Sequence, residues 1–466
     1  MTSPVDALVR ITVAAPHRRI DVALPENVPL AELLPHILRH AGENAADDGQ
    51  RHGGWALYRA TGGALEPGRA FNVQGVRDGD VLHLRSHRTQ WPELEYDDVV
   101  EAIASGARRY GRSWGNVATR RAALAALCTV LFLGLPTLAL SSPPWALPGG
   151  VGIAVAVVLL GAGITLSRAM SDASAGAVVA GCGLPYALLG GLLVAAPAHT
   201  GLLGLGAPHV MLGSATLLTA AVIGYVGVAG LARIFTAGIF VGIFGIISGL
   251  LGLASMSPAG VAGVALTVAI ALLPGYPLLS IRLGKLPMPE LPQKPEDLLK
   301  DQPMPERNAV YDAVARSDEI LTGLLLGVSI VSIAATVRMI IDGGSAPVVL
   351  AVEAIVALLL RSRLFPTPRQ RVPLIVGALA GVALLTVAYA AGSGNIGRMV
   401  AIVILVLGAG FVLAAGMIYS RRPPSPYMGR IADILDVVAI ISLIPTVCVI
   451  TGFYSYVQAI LAGVGG

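Results

Sequence analysis

A chain of 466 residues with 55% hydrophobic side chains and only 13% charged ones cannot cover a soluble multi-domain enzyme with polar surface. The formal net charge is only +4, and the excess sits between apolar runs, not along a basic stripe, which excludes nucleic acid as the main partner. All three cysteines, Cys128, Cys182 and Cys448, fall inside apolar runs, where they read as small buried hydrophobes and not as disulfides or metal ligands.

Residues 1–88 read as a separate polar unit. In LVRITVA (8–14), Val9, Ile11 and Val13 share one face, and in RIDVAL (19–24) Ile20, Val22 and Leu24 do the same. Two alternating runs around Pro16-His17 predict a β-hairpin. PLAELLPHILRHA follows with Leu30, Leu33, Leu34, Ile37 and Leu38 at helical spacing; Pro29 suits a first turn, while Pro35 threatens to kink the helix. WALYRA and DVLHLR predict two more strands, the second entered through the turn Arg77-Asp78-Gly79-Asp80. Strand, strand, helix, strand, strand is the order of a ubiquitin-like β-grasp domain.

Residues 89–121 form a basic linker. DDVVEAIASGARRYG fits a short amphipathic helix with Asp97 as its cap, and Trp114 among Arg108, Arg109, Arg112, Arg120 and Arg121 suits a membrane interface. The first apolar run is therefore internal, with no cleavable signal ahead of it, and serves as the insertion signal.

From 122 to 466 the chain contains eleven runs of transmembrane length: 122–141, 147–167, 175–196, 208–230, 234–253, 259–281, 320–341, 346–361, 372–391, 396–419 and 437–463. The gaps alternate in charge: 142–146, 197–207 and 254–258 lack basic residues, whereas the intervening gaps carry Arg168, Arg233, Arg282, Arg361, Arg363, Arg421 and others. Of 22 basic residues after position 100, only Arg338 and Arg398 break the alternation. The positive-inside bias then predicts a multi-pass plasma-membrane protein with a cytoplasmic N-terminus and an external C-terminus. Stretch 282–319 is a long cytoplasmic loop with six basic and eight acidic residues, proline-rich at first and ending in a short helix that enters the seventh span. It reads either as a docking platform or as a linker.

No catalytic constellation emerges. Gly284-Lys285 is followed by Leu286, which does not make a phosphate loop, and the two histidines of the membrane part, His199 and His209, lack a ligand at metal-binding spacing. The chain is expected to need no cofactor or metal and to be no enzyme. Glu353 lies mid-span and is either an intramembrane proton or substrate relay, or a carboxyl paired with Arg338 or Arg398 or protonated against a neighbouring helix. Gly238, Gly242, Gly245, Gly249 and Gly252 recur at alternating steps of four and three, which places them on one helix face for close packing, within the chain or with a second copy.

A ubiquitin-like cytoplasmic domain, a basic linker and eleven spans, together with the run RITVAAPHRRIDVALPENVPLAELLPHIL, resemble the EccD family, the polytopic membrane component of actinobacterial type VII (ESX) secretion systems. The resemblance covers the whole chain. It implies a scaffold that pairs as a homodimer around an apolar, lipid-accessible interior. It also implies assembly with EccB, with the FtsK/SpoIIIE-type ATPase EccC and with EccE, and a structural part with no catalytic residues. The alternative class is a secondary transporter with Glu353 as its intramembrane carboxylate, which calls for internal repeats and helices broken at mid-membrane.

Overall fold

The computed structural model describes residues 8–15, 19–41, 54–59, 62–86, 114–201, 204–287, 306–421 and 425–464. The hairpin tip at 16–18, the linker helix, Arg108, Arg109, Arg112 and most of the proline-rich loop lie outside the described residues. The chain divides into two units, 1–114 and 115–466.

In the first unit, β1 (Leu8–Ala14), β2 (Arg19–Pro25), β3 (Trp55–Arg59) and β4 (Val81–Ser86) form a four-stranded sheet in the order β2-β1-β4-β3. β1 pairs antiparallel with β2 and parallel with β4, which requires the crossover through α1 (Leu30–Ala41). Alternation settles the register: Val9, Ile11 and Val13 are buried against Leu30, Leu33, Ile37, Leu57, Phe71 and Leu82. Pro35 does not break α1. It sits on the exposed side, and the Ala31 carbonyl that it leaves without a donor is exposed as well, so water can satisfy it.

The second unit is helical: α2 (Asn116–Ala139), α3 (Ala146–Arg168), α4 (Ala173–Val194), α5 (Ala207–Gly227), α6 (Ala232–Leu253), α7 (Pro258–Ala271), α8 (Tyr276–Leu283), α9 (Arg307–Asp342), α10 (Ser345–Arg361), α11 (Pro368–Gly392), α12 (Asn395–Arg421), α13 (Pro426–Ile450) and α14 (Phe453–Val464). Among the described residues ten helices are long and apolar enough to cross a bilayer, and α7 with α8 makes an eleventh span bent by 41°. One apolar core joins α3, α4 and α5 to the start of α6, and a second joins the rest of α6 to α7, α9, α10, α11 and α13. α9 is the hub, with 72% of its apolar window buried, whereas none of the α2 or α12 window is.

Three helix limits differ from the hydropathy reading. α2 starts at Asn116, so Arg120 and Arg121 belong to its first turns and not to the linker. α9 has 36 residues, about 54 Å at 1.5 Å per residue, which exceeds a hydrocarbon core of about 30 Å, so one end projects beyond it. The last run is not one span. Gly452 (φ +73°) ends α13, and α14, with 12 residues and a length of about 18 Å, is too short to cross.

Candidate functional site

The glycine stripe of α6 meets α5 of the same chain at every position. A Cβ added at Gly238, Gly242, Gly249 or Gly252 would lie 2.7–2.9 Å from Ala221, Leu218, Met211 or Ala207, and one at Gly245 would lie 2.0 Å from the Ser214 hydroxyl. Gly224 of α5 extends the same contact to Phe235, while Gly227 faces Ile164 of α3. The stripe is thus filled from within. This intrachain contact is the packing alternative of the two that the spacing left open. A similar contact went unread in the sequence. Gly176, Gly183 and Gly190 recur every seven residues on α4, and Gly163 and Gly152 of α3 lie against Gly176 and Gly190.

Most charges within the described part of the bundle are engaged by its own helices. Glu353 is bonded to neither Arg338 nor Arg398: its Oε1 accepts from the Thr446 hydroxyl of α13 at 3.1 Å, and its Oε2 is buried with no partner among the described residues. Arg338 pairs with Asp342 one turn along α9, and Arg398 donates through Nε to the Ala390 carbonyl at 2.9 Å, near the end of α11. Arg398 therefore serves the end of α11, where backbone carbonyls lack donors and the helix dipole favours a cation.

The arginine-rich end of the bundle carries contacts that composition alone did not single out. Arg168 donates to the Gly227 and Val226 carbonyls, both at 2.9 Å, which caps α5. The guanidinium of Arg233 lies 3.0 Å from Glu319 of α9, whose other oxygen accepts the Arg233 amide at 3.2 Å. The adjacent Asp318 accepts from Gln370 of α11 at 2.7 Å, so two consecutive acids on α9 tie it to helices on two sides. Arg120 lies 2.5 Å from Asp172, which also caps α4 through the Ala175 amide. The Arg120 guanidinium, then that amide, hold the Asp172 carboxyl down at about 2. Arg121 is exposed, and Trp114, at the edge of the first unit, is 72% exposed.

Between α7 and α8 the sixth span bends and loses regular backbone bonding. Pro274 sits in the intervening turn, and Pro277 opens α8. The carbonyls freed there have protein donors. Arg361, only 8% exposed, donates to the Ile270 carbonyl at 3.0 Å while its Nε lies 3.4 Å from Asp436 of α13, and the Tyr276 hydroxyl donates to the Ala269 carbonyl at 3.0 Å. Ile270 and Leu273 are fully buried, so one side of the bend packs into protein, while Leu272, Pro274 and Gly275 on its other side are exposed. A shallow apolar hollow of ≈ 410 Å³ is lined by α12 alone, from Asn395 to Ile404, an open groove and not an enclosed solute site. No group of three His, Cys, Asp or Glu residues is placed to hold a metal ion among the described residues.

Comparison with known proteins follows the same two-part division. The family model for the EccD-like transmembrane domain matches residues 119–460, and that for the YukD protein of the WXG100 protein secretion system matches residues 8–84. The chain is 25% identical over 473 residues to the ESX-4 secretion system protein eccD4 of Mycobacterium tuberculosis, covering 97% of each. It is 26% identical over 506 residues to the ESX-3 secretion system protein EccD3 of the same species, covering 98% of this chain and 99% of that one. Among solved structures it resembles a chain of protomer 1 of the ESX-3 core complex (TM-score 0.59, 19% identity, 97% of this chain and 100% of that one). It also resembles a chain of the MycP5-free ESX-5 inner membrane complex (TM-score 0.52, 23% identity, 88% of this chain and 99% of that one). A β-grasp unit ahead of an eleven-span bundle, matched along nearly its whole length, places this chain in the EccD family.

Proposed function

We propose that this chain is the polytopic scaffold subunit of a type VII secretion complex in the plasma membrane, with no catalytic step of its own. The observation that carries the reading is the full-length match of both parts at once, a cytoplasmic-type binding module and a membrane bundle, to secretion-system subunits. The engagement of Arg338 by Asp342 and of Arg398 by the Ala390 carbonyl agrees with it, because a scaffold has no need of free arginines along a solute path. The alternation of basic gaps favours a cytoplasmic N-terminus and an external C-terminus. The β-grasp unit, the linker of 89–121 and loop 282–319 then face the cytoplasm, as docking surfaces for an EccC-type ATPase alongside EccB- and EccE-like subunits. Two copies pair through helices that leave their apolar side chains exposed, α12 above all, since the α6 stripe is occupied. The remaining apolar face contacts membrane lipids.

Affinity purification of the chain from its own membranes in mild detergent, with mass spectrometry of the co-purifying proteins, tests this. Recovery of an FtsK/SpoIIIE-type ATPase with EccB- and EccE-like proteins is expected, and recovery of the chain alone defeats the reading. A second reading, solute transport through Glu353, is favoured by that carboxyl's unpartnered oxygen and by the broken span. Glu353→Gln separates the two: transport collapses if Glu353 is a relay, whereas a scaffold keeps its assembly.

A further inference from the structure

Gly452, in the left-handed region, stops α13, and a helix resumes at once: the Tyr456 amide and the Ser455 hydroxyl donate to the Gly452 carbonyl at 3.0 and 2.7 Å. The residues of α14 sort by helical period. At 3.6 residues per turn Phe453, Tyr454, Tyr456, Val457, Ile460 and Leu461 fall on one arc of about 160°, while Ser455, Gln458 and Ala459 fall on the other side. α14 packs chiefly on the end of α13, and little of its apolar arc is covered by this chain. Phe453, Tyr454 and Ile460 are about half exposed, and Tyr456 and Leu461 are 66% exposed.

The depth of α14 is set by its neighbours. A Cβ on Gly260 would lie 3.5 Å from the Thr451 methyl, so the end of α13 is level with the first turn of α7. α7 starts beside 254–258, a gap without arginine or lysine, which marks the bilayer boundary opposite the arginine-rich end. α14 therefore begins at that boundary, where tyrosine is at home because its ring prefers hydrocarbon and its hydroxyl prefers headgroups and water. It carries no charged residue, so nothing on it selects a protein partner by charge or depends on anionic headgroups. We propose that α14 is an anchor that lies along this bilayer surface, with its apolar arc in the acyl–headgroup boundary and with Ser455 and Gln458 towards water. Its ligand is phospholipid of either headgroup charge, in the outer leaflet for the orientation favoured above. The proposal rests on the chain's place in the membrane and not on the scaffold reading, so its failure leaves that reading standing.

The test places benzoylphenylalanine, a photoreactive aromatic residue, in the full-length chain in place of Tyr456, of Leu461 or of Gln458, and irradiates native membranes. Mass spectrometry is expected to find phospholipid adducts at 456 and 461, roughly fivefold or more above those at 458. Protein adducts at 456 and 461, with a second copy or with another chain, overturn the proposal, and so does the absence of adducts at both. Equal lipid adducts at all three positions overturn it as well, because they describe a helix immersed in hydrocarbon. A second measurement needs no photoreactive residue. Tyr456→Trp is reconstituted in vesicles of phosphatidylcholine or phosphatidylglycerol brominated high on the acyl chain. Its tryptophan emission is expected to be quenched beyond that of the parent chain, equally in both lipids. Quenching no greater than the parent's, or confined to phosphatidylglycerol, overturns the proposal.

Discussion

Replacing Gly242 and Gly249 together by alanine tests the packing argument most directly. Each new methyl would lie 2.7–2.8 Å from a side-chain carbon of α5 and 3.0–3.1 Å from backbone atoms of Leu218 or Met211. Carbon contacts prefer roughly 3.5–4.0 Å, so α5 and α6 must part by about 0.8 Å, a gap that forfeits a quarter to a half of each dispersion contact along the seam. Overpacking of this kind costs about 2 kcal/mol per site, and the better helix propensity of alanine returns about 1 kcal/mol per site. The net is about 2 kcal/mol lost, a fall of roughly 4 °C in apparent Tm at about 2 °C per kcal/mol. Gly408 and Gly416 on α12 supply the control, because a Cβ there meets nothing within 4 Å. Their double alanine variant should hold or raise the Tm. Intrinsic tryptophan fluorescence during heating in mild detergent reads both. Equal shifts of the same sign in the two double variants would refute close approach at α5–α6 as the reason for the stripe.

Three further perturbations follow from the polar contacts. Asp172 is held at about 2 in the folded chain, below the roughly 3.9 of a free aspartate, so its contribution is complete above about pH 5 and is lost as the pH falls through about 2. Asp172→Asn should therefore lower the melting temperature at pH 7 and should narrow its gap to the wild type by pH 3; a gap independent of pH counts against the Arg120 contact. Arg361→Ala strands Asp436 and reopens the Ile270 carbonyl, at a cost of about 3 kcal/mol, while R361M/D436L removes both charges and should recover much of the loss in detergent melting. Glu353→Gln keeps an acceptor for Thr446, so stability should change by less than about 1 kcal/mol and co-purification of partners should not change; loss of assembly without loss of stability would give Glu353 a part that the bundle does not explain.

Spans, their alternation of charge and the order of strands and helix in the first unit were legible in the sequence. Each rests on a local property: enough apolar residues to fill a bilayer, arginines that resist translocation, and an alternation of side chains at β spacing. The stripe on α6 was legible as a face too, because a helical period is local. Its partner was not. Whether Ala207, Met211, Ser214, Leu218 and Ala221 or a second chain cover those glycines depends on which helices meet, and hydropathy is nearly the same for all of them.

Ion pairs were the least legible. Glu353 and Arg338 looked like natural partners because both are costly in lipid, yet Arg338 had Asp342 one turn away, and Glu353 found Thr446 at a separation of 93 residues. Arg233 with Glu319 and Arg361 with Asp436 were equally invisible, since each joins segments distant in sequence. The end of α13 was misjudged for a related reason: the apolar run continues through Thr451 and Gly452, while the left-handed backbone at Gly452 turns the chain. Composition and local period thus determined that this chain enters a membrane, how often, and with what module in front. Only tertiary structure decided which glycine meets which helix and which charge answers which, because those choices depend on contacts between segments far apart in sequence.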